Sequence, residues 1–199
     1  DPDPDVRQAA IARTLSHIPF AARVDAQIII GLLRGVVQPG ISHEQAMRWL
    51  VDALRQVTAP AAEQGVRLCL EPLNRYETGL IHTVTDGLDL LNRVGAENGS
   101  PSLGLLLDTF HMNIEERDFA AAIHEAGDRC FHFHVADSNR WYPGAGHIDF
   151  GHVLKVLEKS GYSKAKTATG YVTGEFLPQP DAQTAAAKAI QYLRKVAPT

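Results

Sequence analysis

The stretch GLLLDTFHMNIEE, residues 104–116, joins an apolar run to an abrupt polar end. Its consecutive leucines are typical of a β-strand that is buried on both faces. The run stops at Asp108, and His111 follows three residues later. Functional sites of α/β proteins lie at the carboxyl ends of the strands, and Asp108 is at such an end. The residues at the ends of the other apolar runs therefore indicate whether Asp108 belongs to a site.

Five apolar runs are predicted to be strands, and helical patterns separate them. The predicted strands are residues 26–33, 67–73, 103–110, 130–136 and 171–177. The predicted helices are residues 6–22 with a break or bend at Pro19, a segment capped by Ser42, a segment capped by Thr85 that stops at Gly95, and residues 119–126, 150–160 and 182–196. This alternation predicts a parallel sheet in an α/β architecture.

Four of the five predicted strands end on a side chain that can bind a metal ion: Glu71, Asp108, His134 and Glu175. Counting by two along each strand places all four on one face of the sheet, at its carboxyl end. Three carboxylates and one imidazole suit Mn²⁺ or Mg²⁺, with Co²⁺ and Zn²⁺ as alternatives. Two simpler interpretations stay open: Asp108 caps a helix, and His132 is a hydrogen-bonded core residue.

The spacing of the four ligands favours a barrel over an open sheet. In a flat sheet the first and fourth strand ends would lie about 14 Å apart, too far to share one ion. The strands are therefore predicted to curve as part of a (β/α)8 TIM barrel. A complete barrel has eight strands in about 250 residues, so five strands in 199 residues predict an incomplete one.

Composition narrows the class of protein further. The chain has 199 residues, 45% of them hydrophobic, which is enough for one well-buried domain, so we predict a single domain over residues 1–199. Its net charge is −4. No apolar run has membrane length, and no Lys/Arg cluster suggests a nucleic-acid partner. Cys69 and Cys130 each lie inside an apolar run, so we expect no disulfide and a cytoplasmic location.

Four blocks of sequence resemble one known group of enzymes. The blocks are EPLNRYETG (71–79), LLLDTFHMNIEE (105–116), HFHVADSNRWYPGAGHIDF (132–150) and GYVTGEF (170–176). They resemble the ketose 3-epimerases of the D-tagatose/D-psicose type, within the xylose isomerase-like barrels. The resemblance implies that the four strand-end residues hold a metal, usually manganese, and that three further residues contact the sugar near its carbonyl: Glu77, His111 and Arg140. It also implies that the missing strands are the first three.

The resemblance implies epimerisation at C3 of a ketose, with a small sugar as the substrate. A proton must leave C3 and return on the opposite face, through a cis-enediolate, which needs two acid/base groups. Glu71 and Glu175 are the predicted catalytic pair. The alternatives are an aldose–ketose isomerase, a hydroxypyruvate isomerase, an inosose dehydratase, an abasic-site endonuclease and a non-catalytic metal-binding remnant. An exposed edge strand at residues 26–33 also predicts a homo-oligomer.

Overall fold

Seven helices and five strands alternate in the part of the chain that the structure describes. The computed structural model describes residues 1–95, 102–162 and 170–198. In chain order the elements are α1 (Pro4–Arg23), β1 (Ile28–Ile30), α2 (His43–Glu63), β2 (Leu68–Leu70), α3 (Val84–Val94), β3 (Leu103–Asp108), α4 (Thr109–Glu115), α5 (Phe119–Ala126), β4 (Cys130–Val135), α6 (Phe150–Lys159), β5 (Val172–Gly174) and α7 (Ala182–Val196). The predicted α/β alternation is confirmed.

The strands follow one another in chain order from β1 to β5. Strand β1 pairs with β2, β2 with β3 and β4 with β5, and each of these pairs is parallel. Leu68 lies opposite Leu103, and His134 lies opposite Thr173. Parallel strands bring their carboxyl ends to the same edge of a sheet, which is the edge where the candidate ligands were expected.

The chain divides into two compact units, Asp1–Leu105 and Leu106–Thr199, with the boundary inside β3. The prediction of a single domain over residues 1–199 stays a prediction. In the first unit, Leu50, Leu54 and Val57 of α2 are buried, and all three residues of β2 are fully enclosed. Ser42 begins α2 as predicted, because its side chain accepts a hydrogen bond from the amide of Gln45.

Two details of the first unit differ from the sequence prediction. Helix α1 continues through Pro19, so the predicted break there was wrong, and Ile11, Ile18 and Ala21 are buried on either side of the proline. Strand β1 is shorter than predicted, because a 3₁₀ turn (Leu32–Arg34) follows it directly.

The cap of α3 was also predicted at the wrong residue. Thr83, and not Thr85, begins the helix: its hydroxyl accepts from the amide of Asp86, and the Asp86 carboxylate accepts from the amide of Thr83 in return. This reciprocal pair is a capping box. The helix ends at Gly95 as predicted, and Gly95 has a φ of 86°, which glycine adopts without strain.

In the second unit, strand β4 and the last three residues of β3 contribute to the core. Every residue of β3 is buried, and Phe131 and Phe133 of β4 are fully enclosed. The prediction that this strand reaches residue 110 was wrong at its end, because α4 begins at Thr109. Cys69 and Cys130 are both buried. Within the described residues, no helix combines the length and apolarity needed to cross a membrane.

Candidate functional site

Three predicted ligands meet at the carboxyl ends of strands in the second unit. Asp108 is the last residue of β3, His134 lies near the end of β4, and Glu175 directly follows β5. Nδ1 of His134 lies 3.8 Å from Oδ2 of Asp108 and 3.4 Å from Oε2 of Glu175. The backbone holds Glu175 there, because its amide donates to the carbonyl of Val135 at 3.2 Å and so extends the β4–β5 ladder.

The ligand atoms of this cluster fit a cation. Oδ1 of Asp108 accepts from the amide of Phe110 at 2.7 Å and thereby caps α4, whereas Oδ2 is left for another partner. Oδ2 of Asp108 and Nδ1 of His134 are both buried and make no hydrogen bond to any residue the structure describes. Buried polar atoms without partners are unfavourable, and a divalent cation would satisfy an oxygen and a nitrogen at once.

The two carboxylates of the cluster differ in their environments. Burial raises the pKa of Asp108 to about 6, although the Phe110 amide and the imidazole of His134 oppose that shift. For Glu175, whose side chain is half exposed, contact with His134 lowers the pKa below its ordinary value, and the charge of Arg140 adds to this. Nδ1 of His134 and Oε2 of Glu175 are 3.4 Å apart, which is within ion-pair distance, but their geometry does not make a hydrogen bond.

Two of the predicted substrate contacts, His111 and Arg140, adjoin this cluster. Nη2 of Arg140 lies 3.4 Å from Oε2 of Glu175, and Nη1 lies 3.3 Å from Nε2 of His111. The guanidinium of Arg140 also packs over the ring of Phe110, 4.7 Å from its centroid. The structure therefore brings both side chains to the ligands. Their role as substrate contacts stays a prediction.

A buried acid that the sequence analysis did not single out holds the loop that carries Arg140. Asp137 is completely buried, and its carboxylate accepts from the amides of Ser138 at 2.8 Å, Gly144 at 2.8 Å and Ile148 at 3.2 Å. These three bonds tie the start of the loop to its middle and its end. The signal in the sequence is an aspartate followed by two glycines within ten residues, and turn chemistry of that kind is common.

Glu71, the remaining predicted ligand, lies in the first unit. It directly follows β2, is buried, and its amide donates to the carbonyl of Ile30 at 3.2 Å. Its Oε2 lies against Gly31, where a Cβ would approach to 3.0 Å. Arg34, another residue that the sequence analysis missed, donates to the carbonyl oxygen of Glu71. Burial lowers the pKa of Arg34 to about 10, and the negative charge of Glu71 opposes that shift.

Glu77, the third predicted substrate contact, lies in the loop after β2. Its Oε1 accepts from Nδ2 of Asn74 at 2.9 Å, and its amide donates to the carbonyl of Asn74 at 3.1 Å. The EPLNRYETG block thus forms a tight turn with the Glu77 carboxylate anchored at its end. Its part in substrate binding stays a prediction.

A family model described as xylose isomerase-like TIM barrel matches residues 1–196. The chain belongs to this family. The predicted fold class is confirmed, and the described residues of this xylose isomerase-like TIM barrel protein contain five of the eight strands of a full barrel.

Named relatives of this barrel protein are sugar epimerases. It is 34% identical to the D-psicose 3-epimerase of Ruminiclostridium cellulolyticum over 166 residues, which are 81% of this chain and 55% of that protein. It is 37% identical to the 3-dehydro-D-guloside 4-epimerase of Escherichia coli, over 62% of this chain and 44% of the relative. The chain therefore spans about half the length of the curated relatives it matches.

A solved structure that matches this chain is also that of a sugar epimerase. The crystal structure of D-psicose 3-epimerase with D-tagatose from Clostridium cellulolyticum H10 matches with a TM-score of 0.83 and 28% identity, over 100% of this chain and 74% of that one. The resemblance to ketose 3-epimerases that the four sequence blocks indicated is confirmed.

Proposed function

We propose that this protein is a divalent-metal-dependent ketose 3-epimerase. The proposal rests mainly on two buried atoms that make no hydrogen bond to any described residue, Oδ2 of Asp108 and Nδ1 of His134. Both belong to the cluster that includes the carboxylate of Glu175. Relatives named as D-psicose 3-epimerase support a small ketose as the substrate. An ionised acid beside a cation site is the arrangement that abstraction of a proton next to a ketone requires.

Glu71 is proposed as the fourth ligand of the same cation, together with Asp108, His134 and Glu175. Glu71 directly follows β2, which is a strand-end position like those of Asp108 and Glu175, and this supports the proposal. Three carboxylates with one imidazole suit Mn²⁺, and we propose manganese as the resident ion, with Mg²⁺, Co²⁺ and Zn²⁺ as competitors.

When bound, the cation supplies a Lewis acid that polarises the ketone and raises the acidity of the proton on the neighbouring carbon. Glu71 and Glu175 are the proposed acid/base pair: one carboxylate takes the C3 proton, and the other returns a proton to the opposite face. The lowered pKa of Glu175 means that the carboxylate is ionised at neutral pH, which is the form that a proton acceptor needs, although the lowering makes it a weaker base. We propose that Arg140 and His111, which contact each other beside Glu175, support the negative oxygen that develops on the substrate.

The test is a panel of unphosphorylated ketohexoses and ketopentoses, assayed with Mn²⁺ in D₂O. A 3-epimerase forms the C3 epimer and incorporates deuterium at C3. Deuterium at C1 or C2 would instead indicate aldose–ketose isomerisation. A chain that binds one Mn²⁺ but turns over none of these sugars would contradict the proposal and support a non-catalytic metal-binding protein.

The variant Glu175→Gln separates the roles within the site. It removes a ligand charge and a proton acceptor while keeping nearly the same side-chain shape. We expect Mn²⁺ binding to weaken and turnover to fall by at least about 10²-fold, the loss typical of a proton-transfer group. Glu158→Gln, on the surface of α6, is the matched control and should behave as wild type. Unchanged turnover in Glu175→Gln would show that Glu175 is not part of the acid/base pair.

A further inference from the structure

We infer that Arg34 is a positioning residue for Glu71. It holds the backbone of Glu71 in place and stabilises the negative charge of the Glu71 carboxylate, so that Glu71 can serve as a metal ligand. The inference rests on the proposed function, because it takes Glu71 to be a ligand. All of the contacts that carry it lie within the first unit.

The hydrogen bonds of Arg34 tie the end of β2 to a distant loop. Its Nη1 donates to the carbonyl oxygen of Glu71 itself. Its Nη2 donates to the carbonyl oxygens of Leu80 at 3.1 Å and Ile81 at 3.2 Å. Only a guanidinium presents two nitrogens in the fixed fork that reaches both segments at once, so a lysine could not replace the arrangement.

The burial of the Arg34 guanidinium also supports a pairing with Glu71. Its side chain is largely enclosed, and Nε is buried without a hydrogen-bond partner in the described part of the chain. A buried guanidinium bonded to neutral carbonyls alone is unfavourable, because desolvation of a charge is large. The negative charge of Glu71 favours the charged form of Arg34, which makes the two residues an electrostatic pair as well as a hydrogen-bonded one.

The same short segment contacts the other end of Glu71. Gly31, three residues before Arg34, lies against the carboxylate, and a Cβ there would approach Oε2 to 3.0 Å. Residues 31–34 thus meet Glu71 twice, with Gly31 at the carboxylate and Arg34 at the carbonyl. A ligand held at both ends binds a cation without further ordering, and loss of such supporting contacts typically weakens metal binding 10–100-fold.

The experiment measures the Kd for Mn²⁺ by titration calorimetry and the melting temperature of each variant. Arg34→Met keeps the length of the side chain and removes the fork and the charge. We expect it to weaken Mn²⁺ binding about tenfold or more. Arg34→Lys restores the charge without the fork, so its Kd should fall between those of Arg34→Met and wild type. The matched control is Arg55→Met, since Arg55 also donates to two carbonyls, those of Val94 and Arg93, but has no contact with Glu71.

A double-mutant cycle separates positioning from mere structural support. If Arg34 acts through Glu71, then Arg34→Met should add little to the loss of affinity that Glu71→Gln already causes. Independent, additive losses would overturn the inference, and so would an Arg34→Met protein whose Kd equals that of wild type. If Arg34→Met does not fold, Gly31→Ala, which pushes on the carboxylate directly, should raise the Kd in its place, and an unchanged Kd there would overturn the inference.

Failure of the proposed function gives a different result. If Glu71→Gln binds Mn²⁺ as tightly as wild type, Glu71 is not a ligand, and the metal assignment itself is wrong. If Glu71→Gln weakens binding while both Arg34→Met and Gly31→Ala leave it unchanged, the ligand assignment stands and only the positioning role of residues 31–34 fails.

Discussion

Asp108 uses its two carboxylate oxygens differently. The sequence allowed two interpretations of this residue, a helix cap or a metal ligand, and treated them as alternatives. In the structure Oδ1 caps α4, and Oδ2 is buried without a hydrogen bond to any described residue and faces His134 at 3.8 Å. The two interpretations are therefore compatible. One carboxylate can cap a helix and still offer an oxygen to a cation, because it has more lone pairs than one amide can satisfy.

The raised pKa of Asp108 predicts a pH dependence of metal binding. The carboxyl group is protonated below about pH 6, and a cation must displace that proton, so affinity should be full above this pH and lost as the pH falls through it. We expect the Kd for Mn²⁺ to rise about tenfold per pH unit from this group below pH 6. Titrations at pH 5, 6, 7 and 8 measure the slope.

The control for this prediction is Asp108→Asn. Asparagine keeps the cap of α4 and removes the titrating group, so the folded chain should persist while the slope decreases. The slope that remains in Asp108→Asn reports the contribution of the other proposed ligands. An identical slope in wild type and Asp108→Asn would contradict the assignment to Asp108.

At the scale of elements, the start of α3 shows how a cap can be predicted at the wrong threonine. Thr83 and Thr85 both precede the apolar face of the helix, but only Thr83 has an acid three residues later to complete the capping box. We expect Thr83→Ala to lower the free energy of unfolding by about 1 kcal/mol. Thr85→Ala should change it by less than about 0.5 kcal/mol. Urea denaturation of both variants measures this, and equal losses would contradict the cap at Thr83.

The loop from Asp137 to Ile148 is the element that carries Arg140 to the site. A Cβ at Gly146 would collide with Oδ1 of Asp137, and two backbone amides hold that oxygen in place while a third holds Oδ2. Gly146→Ala should therefore shift the loop and lower the free energy of unfolding by about 1–3 kcal/mol. Since Arg140 would move, we expect kcat/KM to fall about 10²-fold while Mn²⁺ affinity stays near wild type.

Gly151→Ala is the matched control for that loop. A Cβ at Gly151 would meet no atom closer than 3.4 Å, so the substitution fits α6 without a shift. Its activity and its free energy of unfolding should stay close to those of wild type. If Gly146→Ala also keeps wild-type activity, the loop does not set the position of Arg140 as proposed.

At the scale of the whole molecule, self-association stays a prediction. Strand β1 is the first in the strand order, and Ile29 within it is 42% exposed. Parallel edge strands with exposed apolar residues pair readily with other strands. We expect the 199-residue chain to form dimers or larger species in light scattering, and Ile29→Lys to shift them toward monomers. Ile190→Lys, at an exposed position of α7, should not. A monomer at high concentration would contradict the prediction.

The strands, the parallel pairing and the identity of the ligand-bearing strand ends were predictable because each depends on local pattern. Buried strands read as apolar runs, side chains alternate with a period of two, and parallel strands end at one edge. Asp108, His134 and Glu175 follow from these rules without any knowledge of packing, and so does the placement of Glu71 at the end of β2.

Only the tertiary structure showed which distant residues contact the candidate ligands and the loop beside them. Arg34 reaches carbonyls 37 and 46 residues away, and Asp137 gathers amides up to 11 residues along the chain. Neither contact leaves a periodic mark in the sequence, because a hydrogen bond between distant segments depends on where the fold places them and not on their neighbours. The amino-acid sequence by itself thus determined the strands and the types of candidate ligand at their ends, while the fold determined which distant groups contact them.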